Sequence, residues 1–474
     1  MQDAHVQHHW SSRFAFVMAT VGAAVGLGNF WRFPYQAGEN GGGAFVLVYI
    51  LVVLVIAIPL VMAELLIGRR GQLSAVGSAR AVGKEQGGTG LWSIIGWVGM
   101  IASFLILTFY SVIAGWVMAY IPAAITHNAF SGGQEVVNQV FSDLLADPFR
   151  LTFWHTIFMA MTVWIVMRGL QDGIEKAALV LMPAFFVMLL FVVFYASSVG
   201  DFEAARDFLF SFRFEAVTPS VVMNAIGQAF FSVSVATAIL ITYGAYLDKT
   251  TNIPQSAFVV SFADTGVALL AGLAIFPLVF ANGLAPDEGP GLLFVTLPLA
   301  FADLPLSQVF GTTFFVLAFF AALTSSIALL EITISWAQER GMTRGKATLF
   351  YGGLAWLIGI ANVLSFNKWS DWSDKIPEGF LPGVTDRNFF AFIDFLTSNI
   401  MLPLGGFLIA IFAGWVLTRE TAVEEFGMSG LGFRLWRFLV RFVIPIVIGL
   451  VLILSTAQKG FGIDLLEKIG LGGG

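Results

Sequence analysis

Residues Gly22 to Phe45, GAAVGLGNFWRFPYQAGENGGGAF, set an amide, a guanidinium and several glycines inside an otherwise apolar segment. Gly22, Gly26 and Gly28 weaken a helix, and Asn29 and Arg32 are costly in hydrocarbon. Pro34 removes a further backbone donor. In lipid every backbone polar group needs a partner, so an unwound stretch survives only where protein encloses a cavity. A glycine-lined packing face would explain the glycines alone, but not Asn29, Arg32 and Pro34 beside them. The chemistry on offer is that of a broken helix whose freed carbonyls and amides hold a cation and a small solute.

A second polar insertion lies at Gln228 to Ala238, where Gln228, Ser232, Ser234 and Thr237 interrupt an apolar run. Hydroxyls bonded back to their own helix would account for it in isolation. Interrupted segments at matching places in two halves of a chain instead point to a transporter's binding site.

The elements that position these residues follow from composition. The chain has 474 residues, 58% hydrophobic and 11% charged, with 50 glycines, 48 phenylalanines and a mean hydropathy of +0.85. That is a polytopic, all-α integral membrane protein. The net charge of −6 gives no reason to expect a nucleic-acid partner, and the absence of cysteine excludes disulfides and thiol chemistry. The polar start lacks a positive region with a cleavage site, so the first span is expected to be retained.

Apolar runs predict eleven transmembrane helices, near 13–37, 44–68, 91–125, 151–168, 176–198, 218–247, 255–282, 308–338, 346–364, 388–417 and 434–457. They form one transporter domain over 1–474. Residues 13–198 are a first five-helix repeat, 218–417 an inverted second repeat, and 434–457 an extra helix. The broken helices are then the first and the sixth. Fifteen of the 24 Lys and Arg residues fall on one side, placing the N-terminus in the cytoplasm and the C-terminus outside. The loops at 126–150, 199–217, 283–307 and 365–387 then lie outside, long enough for short surface helices. An amphipathic piece at Leu73 to Glu85 lies inside.

The first-span signature, with Ile58 to Glu64, Gln228 to Ser234, Thr242-Tyr243, Leu323 to Ser326 and Asp394 to Asn399, resembles the neurotransmitter:sodium symporter family, closely its bacterial amino-acid transporters. The likeness spans nearly the whole chain. It implies the five-plus-five inverted repeat and sodium-driven uptake at a multi-pass protein of the cell's inner (plasma) membrane. The partners are a small-molecule amino acid and the lipid bilayer, and no oligomer is required.

The resemblance implies two Na+ sites. Sodium is a hard cation and takes oxygen ligands. One site would use the carbonyls of Gly22, Val25 and Ala321 with the hydroxyls of Thr324 and Ser325. The other would use the Ala24 carbonyl, Asn29, Ser232 and Asp264. Many relatives carry asparagine at this last position. A carboxylate at membrane depth costs roughly 2.5–3.5 kcal/mol and calls for a cation or a proton, unless Asp264 lies wet at the cytoplasmic end. Chloride-dependent relatives have a serine where this chain has Ala268, so no chloride is expected. With sodium gone to the cytoplasm, Asp264 would favour its protonated form and carry a proton outward.

The substrate carboxylate would meet the amides of Leu27 and Gly28 and the Tyr110 hydroxyl. Its amino group would meet the carbonyls of Ala24 and Phe231 and the Ser234 hydroxyl. Val25, Ile106, Tyr110, Phe231, Thr237, Ser326 and Leu329 would enclose the side chain, with Ser232 and Ser325 adjoining. Monoamine transporters carry aspartate at the position of Gly26, and glycine suits a substrate bringing its own carboxylate. Ala236 and Ala238 replace glycines frequent in relatives. The expected substrates are therefore neutral, mostly hydrophobic L-amino acids.

Arg32 and Asp394, bridged through Gln228, are the expected outer gate, with Phe231 as a lid. Inside, Gln7 stands in the basic place opposite Glu339, leaving Trp10 and Arg13 as plug candidates. Glu64 matches a position that steadies the first span, and Glu331 has no assigned role. Gly173 and Pro183 would let the fifth span unwind, or are a glycine cap followed by a tolerated membrane proline. Two other classes compete. A transporter-like sensor would lack ion ligands or gates, and these are present. A membrane enzyme would need a catalytic cluster, and the five histidines form none, so no enzyme activity is expected.

Overall fold

The structure, a computed structural model, describes residues 9–126, 133–286, 291–302, 304–370, 388–463 and 465. Every regular element among them is helical: α1 (Arg13–Ala24), α2 (Gly28–Glu39), α3 (Gly43–Gly71), α4 (Ala75–Glu85), α5 (Gly90–Ile125), α6 (Gly133–Ala146), α7 (Pro148–Met167), α8 (Leu170–Val199), α9 (Phe202–Phe210), α10 (Pro219–Ser232), α11 (Ile239–Ala245), α12 (Ile253–Ala281), α13 (Leu292–Ala302), α14 (Ser307–Glu339), α15 (Arg344–Leu364), α16 (Phe389–Val416), α17 (Arg419–Phe426) and α18 (Leu431–Gly460). Among the described residues nine helices are long and apolar enough to cross a membrane. A tenth crossing results if α1 and α2, bent by 50° at their break, count as one. The segment expected as a broken sixth span is α10 and α11, each short, joined by residues 233–238 without helix.

Side-chain caps start the helices: Ser12 accepts from Ala15 N, Ser74 from Gly77 N, Asp147 from Phe149 and Arg150 N, and Thr218 from Val221 N. The expected amphipathic piece is α4, and three of the loops expected outside supply α6, α9 and α13. The loop at 371–387 lies outside the described residues.

Proline shapes several helix interiors. A π-helical turn ends two residues before each of Pro34, Pro59, Pro298, Pro403 and Pro445. A proline ring collides with the carbonyl four residues back, and one wider turn relieves that contact.

The most buried membrane helices are α5 and α14, with 83% and 78% of their central windows covered by protein, and they make the most extensive helix–helix contact in the chain. At the periphery α8 and α18 are covered over only 28% and 33%, and expose Val187, Phe194, Ile446 and Ile453 as lipid-facing helices would. The two broken segments run through the centre. α1 packs against α14 and α12, while α11 packs against α3.

Candidate functional site

The break after α1 brings its polar groups against three other helices. Asn29 Nδ2 donates to Asp264 Oδ1 at 2.8 Å, to the Asp264 carbonyl at 3.1 Å and to Ser232 Oγ at 3.1 Å. Ser232 Oγ donates to Asp264 Oδ2 at 2.7 Å. Asn29 Oδ1 accepts from Gly26 N at 2.9 Å, which ties the cluster to the unwound backbone. Tyr49, from α3, completes the group: its hydroxyl lies 3.3 Å from Ser232 Oγ and 3.4 Å from Asp264 Oδ2. Asn29, Tyr49 and Asp264 are wholly buried, so a wet position for the carboxylate at the cytoplasmic end is excluded. Ala268, one turn on, is buried as well and offers no hydroxyl.

A second oxygen cluster forms between α1 and α14. Ser325 Oγ lies 3.4 Å from the Gly22 carbonyl and 3.2 Å from that of Val25. Thr324 Oγ1 lies 3.1 Å from the Ala321 carbonyl. Gly22 has a steric purpose here: a Cβ would sit 2.9 Å from Met182 Sδ and 3.2 Å from Thr324 Cβ. Both clusters are buried. The one between α1 and α14 is built from oxygen, a donor set suited to a hard monovalent cation. The other brings a carboxylate and two hydroxyls, with Asn29 turning its Nδ2 toward them and its Oδ1 toward Gly26 N.

Between the clusters is a small cavity of about 40 Å3. Of the residues expected around the substrate, Ala24, Gly28, Ile106, Tyr110, Phe231, Ser234, Thr237, Ser325 and Leu329 line it, joined by Ala23, Gly26, Ile239 and Leu402. Three anticipated residues point elsewhere. The Val25 side chain is buried outside the lining, Ser232 faces Asp264, and Ser326 Oγ pairs with Thr162 Oγ1 at 2.8 Å. Leu27 lines the space above, and its N–H reaches the Tyr110 hydroxyl at 3.3 Å. A Cβ on Gly28 would lie 2.8 Å from the Phe231 ring, so that ring rests on the break like a lid.

Above the lid opens a vestibule of about 290 Å3, sharing Tyr110 and Phe231 with the cavity. Arg32 and Asp394 both line it, but no ion pair within 4.0 Å joins them. The Arg32 guanidinium lies 4.7 Å from the Phe231 ring centroid, and Asp394 Oδ1 accepts from Ser398 Oγ at 2.9 Å. Gln228, expected as the bridge, donates to the Gly28 carbonyl at 3.0 Å and leaves Oε1 without a protein partner. Each member of the expected gate is thus engaged locally.

The end of the bundle opposite the vestibule, where the inner plug is expected, is closed by aromatic packing around Trp10. Trp10 is buried, donates to the Tyr243 carbonyl at 3.1 Å, and meets Tyr243 and Tyr246 edge-on. Arg13 is exposed at the first turn of α1, away from this plug. Glu339 accepts from Ser74 N at 3.0 Å, at the start of α4. Gln7 lies outside the described residues. Glu331 acquires a partner: Arg344 Nη2 at 2.5 Å, with the Tyr246 hydroxyl at 2.9 Å. Gly173 lies in a π turn opening α8, where a Cβ would strike the Ile165 carbonyl, while Pro183 stays inside the helix. Beside them Glu175 binds both Ser11 N and Ser11 Oγ.

The second break carries unusual backbone. Ser234, Ala236 and Ala238 have φ of 58°, 65° and 63°. Glu64 Oε2 accepts from Ala236 N at 3.3 Å, and Ser103 Oγ donates to the Thr237 carbonyl at 2.5 Å. Tyr49 and Ser103 escaped sequence reasoning because a single hydroxyl in an apolar helix does not reveal what it faces. A further omission is Lys459, which lines the vestibule.

Comparison with known proteins agrees with this geometry. An uncharacterized sodium-dependent transporter of Bacillus subtilis, YhdH, is 37% identical over 446 residues, covering 93% of this chain and 95% of its own length. A sodium-dependent transporter of Haemophilus influenzae is 33% identical over 461 residues, covering 94% and 97%. The crystal structure of MhsT in complex with L-phenylalanine matches with a TM-score of 0.85 at 40% identity, over 94% of this chain and 99% of that one. Residues 7–139 and 134–366 match the profile of the sodium:neurotransmitter symporter family. With two broken helices converging on paired oxygen clusters and this likeness along most of its length, the chain belongs to the sodium:neurotransmitter symporter family.

Proposed function

We propose that the chain imports neutral, mostly hydrophobic L-amino acids together with sodium, by alternating access across the bacterial inner membrane. The observation carrying this is the buried Asn29–Ser232–Tyr49–Asp264 cluster beside a cavity with apolar walls and Gly26 at its floor. Above Gly26 the space holds the hydroxyls of Ser325 and Tyr110, 2.7 and 2.9 Å from where a Cβ would be. An aspartate cannot occupy that place without displacing both, so an amine lacking a carboxylate has no counter-charge there. Membership of a sodium-symporter family, and a relative crystallised with L-phenylalanine, support the same reading.

In this reading the chain crosses the membrane eleven times, α1 with α2 and α10 with α11 each making one broken crossing. Its halves are inverted repeats, its N-terminus is cytoplasmic and its C-terminus is outside. Two sodium ions bind at the two oxygen clusters. The carboxylate of Asp264 balances their charge, so transport needs no chloride, and a proton leaves on the return step. The vestibule open above Phe231 and the plug sealed by Trp10 describe a protein facing outward with its lid resting on the site.

The test is scintillation-proximity binding across the twenty amino acids, with and without sodium, then uptake into proteoliposomes with gluconate replacing chloride and a pH dye inside. Sodium-stimulated binding of apolar amino acids and uptake that survives in gluconate with outward proton movement are expected. Preference for an amine without a carboxylate would overturn the substrate class. Collapse in gluconate would overturn the role of Asp264.

A further inference from the structure

A second cation faces the vestibule beside Arg32. Lys459 stands in the last turn of α18, exposed to the vestibule, and also lines a smaller cavity of about 80 Å3 behind it. Arg32 and Gln36 line both spaces too, so the two cations form a wall between them. The charged groups around Lys459 are Arg32, Asp394 and Glu39. Among the described residues neither cation has a carboxylate within 4.0 Å. Arg32 lies over the Phe231 ring, and Asp394, the one carboxylate among the lining residues, accepts from Ser398. Among the described lining residues two cations stand against one carboxylate, and Glu39, bonded to the lining residue Tyr35, is a second acid nearby. The sign of the local potential therefore hangs on Lys459 itself: without it the acids outnumber the cation. A water-filled recess with low-dielectric walls concentrates such a field.

We infer that Lys459 is a charge filter for the vestibule, a specificity-determining residue that disfavours net cations, such as amines lacking a carboxylate, relative to zwitterions before they reach Phe231. Gly26 withholds a counter-charge from amines at the floor of the site, and Lys459 repels them at its mouth. As a filter for amino acids this rests on the proposed function. As a source of positive potential it does not, and the test separates the two.

The chain contains no cysteine, so one introduced thiol is a clean reporter. Gln36→Cys places it on the vestibule wall, and its modification rates are measured with the anionic reagent MTSES and the cationic reagent MTSET, each divided by the rate on a free thiol. One unit charge roughly 6–7 Å away in water acts oppositely on the two reagents, so Lys459→Gln should lower the anion-to-cation ratio about tenfold. Lys459→Glu should lower it further, and Lys459→Arg should keep it. Lys459→Met, which keeps the aliphatic stem, serves if the glutamine variant does not fold. The effect should shrink as salt rises. In parallel, inhibition of sodium-dependent L-phenylalanine binding by phenethylamine, a net cation, should strengthen in Lys459→Gln and stay weak in Lys459→Arg. L-phenylalanine itself, a zwitterion of zero net charge, should bind much as before. An unaltered reagent ratio overturns the inference. A changed ratio with unaltered phenethylamine inhibition overturns the filter and confines Lys459 to setting a potential that selection among solutes does not use. Absence of L-phenylalanine binding in the parent protein counts against the proposed function and leaves the reagent result standing.

Discussion

The two broken helices achieve the same outcome by opposite means. At the break between α1 and α2, Gly22, Gly26 and Gly28 all keep negative φ. They are glycines because Thr324, Ser325, Tyr110 and Phe231 come too close for a Cβ. At the break between α10 and α11 the chain enters the left-handed region three times, and there it uses Ser234, Ala236 and Ala238. A left-handed L-residue costs roughly 1–2 kcal/mol. Such strain persists only where the surroundings hold it, as Glu64 and Ser103 do by bonding the intervening backbone. Gly99 and Gly405 receive the segment: a Cβ on either would lie 2.7 Å from Ala238 Cβ or 3.0 Å from Ala236 Cβ. Glycine stands where room is needed, and alanine where conformational freedom is needed. One break is cut to fit its ligands, and the other is held under tension.

That contrast can be broken by substitution. Gly26→Ala should have the largest effect, because its Cβ would meet Ser325 Oγ at 2.7 Å and the Tyr110 hydroxyl at 2.9 Å. Overpacking on this scale costs about 1–3 kcal/mol, met either by straining the fold or by pushing the Ser325 and Tyr110 hydroxyls aside. A loss of at least about fivefold in sodium-dependent L-phenylalanine binding is expected, with a lower detergent Tm in so far as the strain stays in the fold. Normal binding would show that this glycine is not reserved for room. Gly99→Ala should destabilise by about 1–3 kcal/mol through collision with Ala238. Adding Ala238→Gly should recover only part of it, because the Ala238 amide nitrogen at 2.9 Å and the Ala236 carbonyl at 3.0 Å stay in the way. Strict additivity in that cycle would remove the contact from the account. The smallest effect is Ala236→Gly. Relief of roughly 1–2 kcal/mol of strain, less about 0.5–1 for the added chain freedom, leaves a net gain of about 0–1.5 kcal/mol, read as a modest rise in Tm. A fall instead would mean the second break is not strained.

The first break was legible because its residue types are wrong for a membrane helix. Glycines beside Asn29, Arg32 and Pro34 leave little else to infer. The second was located by Gln228, Ser232, Ser234 and Thr237, but alanine gives no sign of left-handed backbone, so its strain was invisible. Asp264 was found through the resemblance, and its burial was not readable from a helix of uniform apolarity. Tyr49 was missed because no local pattern distinguishes a tyrosine facing a carboxylate from one facing lipid. Glu331 gained a partner only when the turn between α14 and α15 folded Arg344 back onto it. Arg32 and Asp394 were expected as a pair, but a charge pattern does not show that Phe231 and Ser398 occupy them separately.

The central claim is that the α1 break and the α14 hydroxyls together hold the sodium that drives uptake. The most direct measurement is L-phenylalanine uptake into proteoliposomes under an inward sodium gradient, comparing the parent protein with Thr324→Ala/Ser325→Ala. The account predicts accumulation that disappears when potassium replaces sodium, and a double variant that folds but does not accumulate. Uptake equal in potassium, or sodium dependence unchanged in the double variant, would contradict it.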